Sequence, residues 1–111
     1  MENLAFLSKE VPGFAVKGEN VKVLTEPSQF HNELCSLAAS AKQRTVLATL
    51  YVGTGSKEQT LLNNVKKSLQ ETNGEVKVKI LLDYCRGTRD VKGTSSCTML
   101  LPLVEQYKVR Y

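Results

Sequence analysis

Tryptophan is absent from this chain of 111 residues, histidine occurs once, and there are only three prolines and two methionines. The lone histidine, His31, is poor material for a zinc site. It offers one candidate partner at most for a nucleophilic cysteine. The three cysteines, Cys35, Cys85 and Cys97, are odd in number and widely spaced, and no C-x-x-C occurs. That argues against a disulfide framework and for reduced, incidental thiols. Long apolar runs are missing as well. The uncharged stretch TVLATLYVGTGS at 45–56 is far short of the roughly 20 residues a membrane helix needs. The start, MENLAFLSKEVPGF, carries Glu2 and Glu10 and has no basic leader before a long apolar core. No signal peptide or transit peptide is visible in it. The charge excess is mild, 15 Lys and Arg against 11 Asp and Glu, for a net charge of +4. Such a balance suits small anions, anionic lipid headgroups or nucleic acid, and chooses none of them.

What is present is globular. An apolar fraction of 41% and a charged fraction of 23% fit one modest domain. Residues 1–19 read as an irregular arm broken by Pro12, Gly13 and Gly18. NVKVLT at 20–25 alternates like a short strand. Thr25 is expected to cap a helix over 27–42, with Pro27 in its first turn. Its apolar stripe is Phe30, Leu34, Leu37, Ala38 and Ala41. RTVLATLYV at 44–52 reads as an interior strand covered on both faces. Ser56 and Gln59 are placed to form a capping box for the next helix. That helix turns Leu61, Leu62, Val65 and Leu69 inward and ends at Asn73-Gly74. EVKVKILLD at 75–83 is a further strand, followed by a loop over 83–95. SSCTMLLPLVEQY then predicts a helix with Leu100, Leu103, Val104 and Tyr107 inward. Pro102 should kink it or delay its start. KVRY opens another strand. The order β-α-β-α-β-α-(β) predicts an α/β fold with a mostly parallel sheet.

Two stretches carry candidate chemistry. YVGTGSKEQ joins a strand to a helix, where glycine amides and a helix start can meet an anion. Gly53, Thr54, Gly55 and Lys57 are its candidates. The spacing is not that of a P-loop, since Lys57 is followed by Glu58. It is not a dinucleotide fingerprint either. A tight turn is the alternative reading. The second stretch is LLDYCRGTRD at 81–90. Arg86 and Arg89 lie three apart on a glycine-containing loop at the carboxyl end of a strand. That is the edge where open α/β sheets bind ligands, and guanidinium groups match phosphate. The alternative is a solvated loop with Asp83 or Asp90 paired to an arginine. His31 reads as a boundary residue. Cys85 has no histidine placed to activate it. No complete catalytic set is visible, and no aromatic-basic stripe suggests single-stranded nucleic acid.

The blocks VLATLYVGTGSKEQTLLNNVKKSLQ, VKVKILLDYCRGTRD and SSCTMLLPLV resemble the mitochondrial phosphatidylglycerophosphate synthases of the phospholipase D superfamily. The likeness runs from about Val11 to Tyr111. It implies a partial phospholipase D-like domain over 20–111, the early part of the first half of such an enzyme. The implied activity is transfer of a phosphatidyl group from CDP-diacylglycerol to glycerol 3-phosphate at the mitochondrial inner membrane. Peripheral membrane association is implied, and neither nucleic acid nor a metal or organic cofactor. The superfamily reacts through H-x-K-x-x-x-x-D motifs. His31 is followed by Asn32 and Glu33, so no H-x-K occurs and no catalytic residue is carried over. The chain alone is therefore expected to be inactive. A truncated product, or a small basic module for phosphate or anionic lipid, remains the alternative. A nucleotide-like segment of the family would fall on Ala48, Thr49, Leu50, Tyr51, Val52, Gly53, Thr54 and Gly55.

Overall fold

The computed structural model describes Phe6 and residues 10–111. Part of the arm expected over 1–19 therefore lies outside the described residues. The elements run in the order α1 (Pro27–Ser40), β1 (Arg44–Thr49), α2 (Ser56–Glu71), β2 (Lys77–Leu82), α3 (Tyr84–Gly87) and α4 (Ser96–Tyr107). A 3-10 turn at Gly18–Asn20 precedes them. β1 and β2 pair in parallel, with Arg44 opposite Lys77 and Thr49 opposite Leu82. The α/β class and the parallel pairing expected from the sequence are both present.

The core lies on one face of this sheet. Val78 and Ile80 of β2 meet Leu61, Leu62, Val65 and Leu69 of α2 and Leu100 and Leu103 of α4. Val65, Leu69 and Leu100 are almost wholly buried. α2 is central and packs against α1 and α4. Its stripe falls where the helical period predicts. Its end also follows the reading: Asn73 (φ 51°) and Gly74 (φ 79°) take the left-handed conformation. The Gly74 N–H donates to the Leu69 carbonyl at 2.7 Å, closing the helix.

Several expectations are corrected. Residues 20–25 form no strand. Val21 is extended, but the segment has no ladder partner, and Val21 and Val23 stay exposed. Lys22 pairs with Glu33 of α1 instead. The predicted stripe of α1 holds in part: Ala38 is buried and Leu34 and Ala41 pack against the core, but Phe30 and Leu37 face out and Cys35 takes an inward place. The cap of α1 is Glu26, although Thr25 contributes by donating its backbone N–H to Gln29 Oε1 at 3.1 Å. β1 is shorter than expected and is covered on one face only, leaving Val46 64% exposed. The N-cap of α2 is Gly55, not Ser56, and Gln59 bonds Asn63 rather than closing a box. α4 starts at Ser96 and runs through Pro102 without a delayed start. Ser95 and Thr98 supply its reciprocal cap. The final strand is reduced to one parallel bridge between Lys79 and Arg110. There the Ile80 N–H donates to the Arg110 carbonyl at 2.9 Å.

That bridge places the last residues beside β2, on the side away from β1. Right-handed crossovers that advance in one direction put their helices on one face. The opposite face, with Val46, Leu81 and Tyr111, is therefore left uncovered. No helix among the described residues is long and apolar enough to cross a membrane.

Candidate functional site

The turn after β1 and the segment after β2 meet at the carboxyl edge of the sheet. The Asp83 N–H donates to the Leu50 carbonyl at 3.3 Å and ties the two strand ends together. Between the two segments lies a cavity of about 690 Å³. Gly53, Thr54 and Gly55 line one wall, and Arg86, Arg89 and Asp90 the other. Tyr51, Glu58, Val91 and Ser96 complete it.

Each wall has a local cause. Gly53 sits at φ +97°, a region that L side chains rarely adopt. A Cβ there would also stand 2.8 Å from Glu58 Cγ. The turn is held from α4, since the N–H groups of Val52 and Gly53 both donate to Ser96 Oγ, at 3.1 and 3.0 Å. The glycine turn thus spends two amides on a buried serine, and the Glu58 carboxylate lies against Gly55. On the other wall, the region expected to be a loop contains the short helix α3. Asp83 caps it by accepting the Arg86 N–H at 2.9 Å. Gly87 lets this helix approach β2 closely, because a Cβ would lie 3.2 Å from Leu82 Cβ. Asp90 Oδ1 accepts the Gly93 N–H at 2.7 Å.

Asp83 and Asp90 thus each accept a backbone amide. Among the described residues, neither Arg86 nor Arg89 makes an ion pair. Two exposed cations therefore line the cavity together with two carboxylates, Glu58 and Asp90. Paired guanidinium groups on one loop can grip a phosphate bidentately.

The structure brings Arg86 and Arg89 together with Gly53, Thr54 and Gly55. It does not bring Lys57 with them: Lys57 lines a neighbouring cavity. Of the segment Ala48–Gly55, Ala48 and Thr49 also fall in that neighbouring cavity, and Tyr51 belongs to both. His31 donates from Nε2 to the Lys57 carbonyl at 3.0 Å and is thereby part of the α1–α2 contact. Cys85 is exposed. Sequence reasoning missed Ser96 and Glu58. A serine at a predicted helix start was the signal for Ser96, but its partners lie more than 40 residues away in the chain.

Parallel strands joined by helices, with an arginine-bearing cavity at their carboxyl edge, make a partial α/β fold of the phospholipase D-like kind. The relatives agree. The chain is 44% identical over 102 residues to the mitochondrial CDP-diacylglycerol–glycerol-3-phosphate 3-phosphatidyltransferase of Gallus gallus, covering 87% of this chain and 18% of that protein. It is 39% identical to the protein of the same name in Homo sapiens, with the same coverage. To the probable CDP-diacylglycerol–glycerol-3-phosphate 3-phosphatidyltransferase of Dictyostelium discoideum it is 38% identical over 94% of this chain. No family model matches. The chain is thus related in sequence to this phosphatidyltransferase family, and it spans less than one fifth of the length of the relatives named here.

Proposed function

We propose that this chain supplies a phosphate-binding wall in an enzyme that transfers a phosphatidyl group from CDP-diacylglycerol to glycerol 3-phosphate. The products are phosphatidylglycerophosphate and CMP, on the route to phosphatidylglycerol and cardiolipin. The observation that carries this reading is the pair Arg86 and Arg89, free of ion pairs among the described residues and facing the 53–55 turn. Their charge would neutralise the diphosphate of one substrate or the phosphate of the other. In a partly enclosed site such donors stabilise charge that builds up at the reacting phosphorus.

The wall binds but does not react. His31 is held by a backbone carbonyl and is not followed by a lysine two residues on, so the nucleophile would come from beyond the related segment. The names of the vertebrate relatives place them in mitochondria, and the same location, at the inner membrane, is proposed for the protein that carries this segment.

Arg86→Ala in that protein tests the reading. Loss of a charge-assisted contact to phosphate predicts a roughly ten- to hundredfold fall in turnover with CDP-diacylglycerol. The yield of folded protein should be unchanged, because the Arg86 side chain is exposed. Equal loss of folded protein and of activity would overturn it. A second reading, a small basic module for phosphate or anionic lipid, rests on the same arginines and the net charge of +4. It predicts saturable glycerol 3-phosphate binding by the 111-residue chain alone.

A further inference from the structure

A separate cavity of about 360 Å³ opens toward the amino edge of the sheet, the end opposite Arg86 and Arg89. It lies between the start of β2 and the segment that follows α4. Lys77, Lys79, Lys108 and Arg110 line it, and no carboxylate does. Among the described residues, none of these four cations makes an ion pair. Glu75 and Glu105 are close by in the chain, but neither lines the cavity or pairs with a cation there.

The arrangement works against the fold in two ways. Sheet register sets Lys77 opposite Arg44, and the parallel bridge sets Lys79 opposite Arg110. Like charges held side by side repel. Lys108 takes the left-handed conformation just past α4, at φ 56° and ψ 33°. Glycine is usual there, because a side chain is disfavoured in that region. Part of the charge answers the ends of α2 and α4, since Gly74 and Tyr107 also line the cavity. A helix carboxyl end carries about half a negative charge. Two ends therefore offset roughly one of the four positive charges and leave about three unmatched.

We propose that this cavity binds a compact anion of three or more charges. At about 30 Å³ for each water-sized group, the space admits roughly twelve such groups, close to the size of inorganic triphosphate or citrate. Lys77 and Lys79 come from β2, and Lys108 and Arg110 from the segment after α4. Two backbone hydrogen bonds join these parts: the Ile80 N–H donates to the Arg110 carbonyl at 2.9 Å, and the Arg110 N–H to the Val78 carbonyl at 3.3 Å. An anion held between the two pairs of cations adds a second tie and stabilises the fold by mass action. The inference does not depend on the phosphate-binding reading of Arg86 and Arg89.

Titration of the 111-residue chain with inorganic triphosphate and with citrate tests this, at fixed ionic strength and followed through backbone amide resonances. Sulfate is the control with fewer charges. Saturable shifts at Lys77–Lys79 and Lys108–Arg110 are expected, with sulfate about tenfold weaker or more. Binding of both ions supports recognition by charge, and binding of one alone assigns the site to phosphoryl or to carboxylate anions. Lys108→Gly should weaken binding roughly tenfold, as loss of a charge-assisted contact predicts. It should not lower the urea midpoint, because glycine suits that backbone conformation. Lys79→Gln should weaken binding similarly, and Lys79→Arg should retain it. Arg86→Ala removes a charge at the other edge and should leave the shifts at Lys108–Arg110 in place. Sulfate binding as tightly as triphosphate and citrate, or unchanged affinity in Lys108→Gly, would show general charge screening and overturn the site. Shifts confined to the turn at 53–55 and to Arg86 and Arg89 would also overturn it, while leaving the phosphate reading standing.

Discussion

Ser96 joins parts of the molecule that are distant in sequence. Its Oγ accepts two backbone N–H groups from the turn after β1, and its side chain is almost wholly buried. Ser96→Ala leaves both donors without that partner, at a cost of about 1–3 kcal/mol. A fall of that size in unfolding free energy by urea titration is expected, together with weaker anion binding as the 53–55 wall loosens. Unchanged stability would show that water replaces the hydroxyl. Arg86 and Arg89 could be singled out from the sequence because they follow an apolar strand on a glycine-containing loop. Their freedom from Asp83 and Asp90 could not. It depends on each carboxylate finding a backbone amide close by in the chain. Glu58 was equally illegible as a lining residue, since it reaches the site only because Gly53 and Gly55 leave room for it.

Among the elements, α4 carries an internal conflict. Pro102 lies inside the helix and cannot donate to the carbonyl four residues earlier. Its side chain is exposed, so no core packing offsets the loss. Pro102→Ala should raise the denaturation midpoint, corresponding to about 1–3 kcal/mol of added stability. No change would mean that the helix already bends to relieve the clash. The sequence pointed to a kink or a late start at Pro102. The helix instead begins at Ser96 because the Ser95–Thr98 cap is strong and Leu100 and Leu103 are buried against α2. α1 shows a similar override. Its period permits several stripes, and contact with α2 selected the one that buries Cys35 and Ala38.

Across the whole molecule, the sheet is covered on one side only. Val46, Leu81 and Tyr111 are exposed on the other, with Lys79 and Arg110 among them. Parallel sheets are ordinarily covered on both faces, and exposed apolar patches promote association. The 111-residue chain by itself should therefore sediment above its monomer mass of 12.3 kDa. Leu81→Lys should shift it toward the monomer, since that side chain is 70% exposed and its replacement leaves the core intact. A wild-type monomer at high concentration would overturn this expectation.

The sequence by itself determined the α/β class, the parallel pairing, the inward stripe of α2 and the edge where charge gathers. Each follows from local periodicity, turn chemistry and the right-handedness of βαβ crossovers. Only the tertiary structure decided which face of α1 points inward, which strand face stays open, and that Lys57 lies apart from the two arginines. It alone placed Ser96 on the glycine turn and brought that turn to the two arginines. These outcomes depend on contacts between residues far apart in the chain, where burial and hydrogen-bond satisfaction outweigh local preference.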